Sequence, residues 1–237
     1  ESMLKLTRIR WRDIKSMQNL IKVEARSEGE EYKVVFEGNL TFGYIDMSNV
    51  PDVAFRIKSI AGIFNVYNPV SPDSWAGEYS VVQAIADITE RMGYSFENSG
   101  VPESLTMRDV TLVDTDLNKI RKLCRAYQID LYVEQNNIAI ASQGSPRDMQ
   151  VPLLTPKTGM IGYPIPTMQG IDVRCLYNPT VRFGGVIRIA DSLITSANGD
   201  WRVFGVTINI ESEQPGGNWF MDIRATTNEA NDVAISR

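Results

Sequence analysis

The chain has 237 residues, a formal net charge of -5, 43% hydrophobic and 22% charged residues, and no histidine. That composition is ordinary for a globular protein, and the acidity argues against a general nucleic-acid or anionic-membrane binder, which needs a basic field. Without histidine there is no Ser-His-Asp or Cys-His catalysis and no His-containing zinc site.

Residues 4–12 alternate apolar with polar or basic side chains and read as a strand, with a bulge expected near Thr7 or Arg8 because Leu4, Leu6, Ile9 and Trp11 cannot share one face. Residues 13–18 read as a loop or single helical turn plugged by Ile14 and Met17, and residues 20–26 as a second strand. Gly29 marks a turn. A long strand pattern over residues 31–47 is broken at Gly38 and Gly43, and a turn at Val50-Pro51-Asp52 sends the chain back through residues 53–60 as an antiparallel meander.

Residues 65–76, with Pro69 and Pro72, read as a connection leading to a helix. Val81, Ile85, Ile88 and Met92 lie at helical spacing, with Ser80 as N-cap and Gly93 as stop. Short strands follow near residues 94–96 and 106–110. Residues 114–128 read as a second helix with Leu117, Ile120, Cys124 and Tyr127 on one face. A hairpin over residues 130–141 turns at Glu134-Gln135-Asn136. This is a compact α+β unit. Residues 142–156 are linker-like, and a second β unit follows with strands at residues 170–176, 186–190, 201–210 and 218–226. Asn198-Gly199 supplies its hairpin signal.

The two β regions share an order of elements at an offset of roughly 165 residues, too wide for a solenoid repeat. Ile21-Lys22-Val23 matches Ile187-Arg188-Ile189, Val35-Phe36 matches Val203-Phe204, and Phe55-Arg56-Ile57-Lys58 matches Met221-Asp222-Ile223-Arg224. Upstream, Ile9-Arg10-Trp11 matches Val173-Arg174-Cys175, and Met17 falls near Val181. Two explanations are open: a duplicated domain, or the alternation that any two meanders share. The candidate interface residues are Arg10 and Arg174, at equivalent repeat positions, with Val35, Phe36, Val203 and Phe204; solvated strand faces are the plainer reading of the two arginines.

Signals for chemistry are weak. No phosphate-binding glycine loop precedes a helix, and no nucleophile elbow occurs. Glu103, Asp109, Asp114 and Asp116 form the densest acidic cluster; a glycosidase pair would need one raised pKa, whereas Asp114 and Asp116 stand where a helix begins and suit capping. No calcium loop is complete. Trp11, Trp75, Trp201 and Trp219 offer sugar stacking or, more simply, packing. Catalytic residues, metal and cofactor are all expected to be none. Cys124 and Cys175 fall on a helix face and in a strand, as buried free thiols would, which suits a reducing compartment. No apolar run approaches the ~20 residues needed to cross a bilayer, and no signal-peptide pattern is present. The chain opens at Glu1 without an initiator Met, so it is expected to be processed or part of something longer.

Three stretches carry a resemblance. The first is Val34-Val35-Phe36-Glu37-Gly38 with Val50-Pro51-Asp52-Val53 and Phe55-Arg56-Ile57. The second is Thr158-Gly159-Met160-Ile161-Gly162-Tyr163-Pro164, then residues 170–179 ending Leu176-Tyr177-Asn178-Pro179. The third is Arg182-Phe183-Gly184-Gly185-Val186-Ile187-Arg188-Ile189 before Trp201-Arg202-Val203. With the helix from Val81 to Gly93, they resemble the baseplate hub family of contractile-tailed bacteriophages, related to the hub part of type VI secretion spikes. The chain is shorter than many hubs and shows no appended lysozyme-like domain.

The resemblance implies an α+β, mainly β fold. Two related antiparallel, tail-tube-like β-barrel domains (residues 1–70 and 151–237) would flank a small α+β domain (residues 71–150). It further implies a non-enzymatic structural hub in the virion baseplate, assembled in the bacterial cytoplasm. As a homotrimer of pseudo-six-fold symmetry, the hub would join tail tube proteins to the central spike protein and other baseplate proteins around the DNA-ejection channel. Neither a membrane nor a sequence-specific nucleic-acid partner is expected. The alternatives from the residues are a peptidoglycan-degrading tail enzyme and a receptor- or glycan-binding tail module.

Overall fold

The computed structural model describes residues 19–26, 29, 31–147 and 150–227. The readings made for residues 4–18, Arg10 and Trp11 among them, lie outside the described residues, as does the reading of residues 228–237 as a frayed tail or a bridge. The chain is mostly β, with a curled half-barrel sheet, and divides into two compact units, Glu1–Ile140 and Ala141–Arg237.

In the first unit, β1 (Leu20–Ala25), β2 (Lys33–Asn49) and β3 (Asp52–Ile60) form an antiparallel meander in that spatial order. The stretch expected to be a plain connection instead holds a short helix, α1 (Ile63–Tyr67), and a strand, β4 (Asp73–Ser80). β4 forms because its partner β6 (Thr106–Leu112) supplies the ladder, pairing Asp73 with Leu112 through to Ser80 with Thr106. The polar sequence of β4 hid this: one face meets the core and the other is wet.

α2 (Val81–Arg91) begins where Ser80 accepts a hydrogen bond from the Gln83 amide and ends before Gly93, whose φ of 76° suits glycine. α3 (Asp116–Ala126) follows Thr115 as N-cap residue. β5 (Ser95–Ser99), β8 (Asn137–Ser142) and β7 (Ile129–Glu134) make a second small sheet in that order. The apolar stripes of the two helices meet in one core with Val81, Ile85, Ile88, Leu117, Ile120 and Ile138 at its centre.

The second unit is one six-stranded sheet in the order β10-β11-β14-β13-β12-β9. Its strands are β9 (Leu153–Leu154), β10 (Met160–Thr167), β11 (Gly170–Leu176), β12 (Val186–Ile189), β13 (Gly199–Ile210) and β14 (Trp219–Thr227). β9 and β10 were not expected as strands. β9 is two residues paired parallel to β12, and β10 carries Pro164 and Pro166, which only an edge strand tolerates. At the β10–β11 turn, Gly170 has φ 142°, and a Cβ there would stand 2.1 Å from the Ala225 carbonyl oxygen, so no other residue fits. The core holds Ile171, Val173, Cys175, Ile187, Ile189 and Ile223, all nearly inaccessible.

The two meanders have the same register. Adding 166 to each β1 or β3 number and 163 to each β2 number converts Leu20↔Asn39 into Val186↔Arg202 and Val23↔Phe36 into Ile189↔Gly199. The same rule converts Asn39↔Ile60 into Arg202↔Thr226 and Asp46↔Ala54 into Asn209↔Phe220. One register shift coincides as well: the break between Leu40 and Phe42 maps onto that between Val203 and Gly205. This corrects the expected central match. Val203 corresponds to Leu40 rather than Val35, and Phe204 to Thr41 rather than Phe36. The outer strands keep the expected offset. A slip of five residues, being odd, exchanges the two faces of a strand, and the corrected match sets buried Leu40 (2% exposed) on buried Val203 (1%).

Candidate functional site

Three polar features were searched for chemistry. The acidic residues do not converge. Asp109 accepts from the Gly77 amide at 2.8 Å. Asp114 accepts from the Thr115 amide and Asn118 and pairs with Lys122 at 2.8 Å, and these contacts, Lys122 first, hold its carboxyl far below the usual carboxylate range. A general acid needs a raised pKa, the opposite of the shift at Asp114. Asp116 is buried and belongs to a different cluster.

That cluster went unnoticed in the sequence. Asp73, at the start of β4, takes both guanidinium nitrogens of Arg91 at 2.8 and 2.7 Å and the Lys119 Nζ at 2.7 Å. Arg91 also reaches Asp116, and Lys119, fully buried, donates to the Ser71 carbonyl at 2.6 Å. Two acids and two bases thus neutralise one another and tie β4, the end of α2 and the first turn of α3 together. Arg91, then Lys119, lowers the Asp73 pKa against the opposing effect of burial. The available signal was Lys119 standing beside Ile120 in the apolar stripe of α3, three residues after Asp116: a buried lysine demands a partner.

A cleft of about 510 Å³ in the first unit is lined by Asn39, Asn65, Asn68, Asn136, Tyr94 and Arg91 among others. Several of its polar groups are engaged with the protein itself. Asn39 accepts from the Phe64 amide, Asn136 donates to the Gly93 carbonyl, and Arg91 serves the ion cluster. Among the described residues, no group of three or more acidic, cysteine or histidine side chains could hold a metal ion. Both cysteines are free and buried, and burial pushes each thiol up to about 12.

The aromatic residues are engaged too. Trp75 packs at 6.1 Å from Tyr79, Trp201 donates its indole N–H to the Ala197 carbonyl at 2.8 Å, and Trp219 meets Tyr177 edge-on. All three are partly buried, which leaves no open aromatic platform among them.

The candidate interface residues are scattered across the sheets. Arg174 on β11 pairs with Asp222 at 2.6 Å, which raises its pKa, and lies 4.2 Å over the Phe220 ring. Val35 and Phe36 are half-buried on β2, where the Gln135 amide donates to the carbonyls of Val34 and Val35. Val203 contributes to the core of its sheet, and Phe204 lies under the Arg224 guanidinium at 5.6 Å. The exposed apolar side chains are elsewhere. In the first meander they include Val23, Met47, Val53, Ile57 and Ile60; on edge strand β10 they are Ile161, Tyr163 and Ile165. Apolar surface gathered on open sheets marks contact with other chains or segments rather than catalysis.

The fold is shared with solved phage tail proteins. The 43 kDa tail protein of prophage MuSo2 from Shewanella oneidensis superposes with a TM-score of 0.57 at 9% identity, over 84% of this chain and 79% of that one. A tail protein from Neisseria meningitidis MC58 gives 0.54 at 10% identity, over 86% and 83%. A search of curated protein sequences returns no match. The family model for baseplate hub gp41 matches residues 9–220, and the chain belongs to that family. It is a bacteriophage tail baseplate component, associated with the virion, and its family is a structural one that implies contact with other baseplate components.

Proposed function

We propose that the chain is a non-enzymatic hub that assembles in the host cytoplasm as a homotrimer and joins the six-fold tail tube to the three-fold central spike around the DNA-ejection channel. Residues 1–70 and 151–237 are its two tube-like barrel domains, and residues 71–150 are the α+β domain between them. The observation that carries this reading is the common register of the two meanders, coincident register shift included. One chain with two meanders of common register gives a trimer six related surfaces, so a three-fold body can seat a six-fold ring. The exposed apolar strands supply surface for such contacts.

Mass photometry and electron microscopy of the purified chain with its tube and spike partners test the proposal. Three-fold rings with a central channel are expected; a strict monomer that ignores both partners overturns it.

A further inference from the structure

The polar cleft of the first unit keeps groups that the protein itself does not use. Glu37 and Asn39 stand two apart on β2 and so share one face of the meander. Leu20, the cross-strand partner of Asn39, lines the cleft beside them. Phe64 of α1, Asn68 at its C-terminal end and Met92 line the same space of about 510 Å³, a volume typical of small-ligand sites.

Asn39 is 7% exposed. Its backbone is fixed by Ser59, whose hydroxyl donates to the Asn39 carbonyl at 2.7 Å. Its side-chain Oδ1 accepts from the Phe64 amide at 3.4 Å, and a backbone N–H can only donate, so the amide is oriented and its Nδ2 points away from Phe64. Among the described residues that Nδ2 has no acceptor, and the half-buried Asn68 side chain makes no hydrogen bond. Glu37, also half-buried, is bonded to no cation among them: Lys22, opposite it in the register, is taken by Glu24 at 2.7 Å. The other charges lining the cleft, Arg91 and Asp116, belong to the neutral cluster with Asp73 and Lys119. The field in the cleft is therefore that of one uncompensated carboxylate. Polar groups held out of water and left unmatched need a reason.

Each open group has a complement. The Asn39 Nδ2 takes an acceptor, the Asn68 amide takes a donor and an acceptor together, and Glu37 takes a cation. Leu20, Phe64 and Met92 give apolar wall along which an alkyl stem can lie. A peptide main chain offers N–H and C=O side by side, and a basic side chain joins stem to cation. We propose that the cleft binds a lysine or arginine side chain on an extended segment of a partner protein, with the cation at Glu37 and the main-chain amides at Asn39 and Asn68. The proposal rests neither on the trimer nor on the barrel layout, so its failure and theirs are separable.

The test titrates N-acetyl-lysine N′-methylamide and its arginine counterpart into the isotope-labelled full chain and follows the amide resonances of Asn39, Asn68 and Asn136 by NMR. A shift confined to the cleft is expected, with a dissociation constant on the order of 1 mM for probes so small. The norleucine counterpart, which lacks the cation, and butylammonium, which lacks the main chain, should each bind at least about tenfold more weakly. Glu37→Gln should weaken the basic probes by at least about tenfold, while Glu90→Gln, which removes an exposed carboxylate on α2 outside the cleft, leaves them unchanged. No shift with either basic probe, equal binding of norleucine or butylammonium, or an equal effect of the two variants overturns the proposal. Should Glu37→Gln fail to fold, the norleucine comparison on the unmodified chain decides.

Discussion

The two meanders have one hydrogen-bond plan and opposite surroundings. In the second unit, Ile187, Ile189, Ile223 and Ala225 are sealed inside a six-stranded sheet. In the first, the matching side chains line an open groove, and the described meander is braced from elsewhere. Gln135 holds the β2 carbonyls, and Gly62, which precedes α1, lies against Leu117 and Val133 of the α+β part. Register, then, is set by strand pairing and survives a change of neighbours, whereas burial belongs to whatever covers the sheet.

If the first meander leans on the α+β part, loosening that part should cost the most. Lys119→Met removes the buried ammonium from Asp73 while Arg91 remains, so about 3 kcal/mol of destabilisation is expected, at the low end for breaking a buried ion pair. Urea unfolding followed at β2 and at α3 should show both failing together; a β2 signal that persists after α3 has melted breaks the comparison.

The matched isoleucines sharpen it directly. Ile223→Ala should cost about 2–5 kcal/mol, the cavity term included. Ile57→Ala should cost under about 1 kcal/mol, because its side chain already meets water, 41% exposed. Equal losses in chemical denaturation would show that the two faces are equally buried. A smaller effect is expected at the register shift. A Cβ on Gly205 would meet the Arg224 Nε at 2.8 Å, where the first meander has Phe42 at the matching position. Gly205→Ala should push the guanidinium off Phe204 and cost about 1 kcal/mol, the worth of an exposed cation–π contact.

Much of this comparison was legible in the sequence. The helices were, because Val81, Ile85, Ile88 and Met92 repeat at a period no strand shares. The outer strands of both meanders matched at the right offset because charged and apolar residues alternate in the same phase there. The central strand did not: Val-Phe recurs in both copies, and only the pairing partners and the burial of Leu40 and Val203 show which alignment is physical. β10 was masked by its prolines and β4 by its polar alternation, since an edge position and a partner strand are tertiary facts. The ion cluster joins residues 73, 91, 116 and 119, a proximity that no local spacing encodes.

The smallest expected effect concerns a charge pair kept in both copies. Arg188 and Asp200 are cross-strand partners with a 2.6 Å contact, and Lys22 and Glu37 hold the matching positions. Asp200 has a lowered pKa, chiefly from Arg188. A depressed carboxyl stabilises the fold above its unfolded value near ~4, and that contribution is lost as pH falls through the lower folded value. Lys22 has a raised pKa, first from Glu24 and only weakly from Glu37. Its contribution is complete below its unfolded value near ~10.4 and lost as pH rises through the folded one. One register position therefore acts on the acid limb in the second sheet and on the alkaline limb in the first. Asp200→Asn should flatten the acid limb by less than about 1 kcal/mol, an effect that salt diminishes. Lys22→Gln should leave the acid limb untouched. An Asp200 carboxyl that titrates by NMR at the ordinary carboxylate value would remove the pair from the comparison.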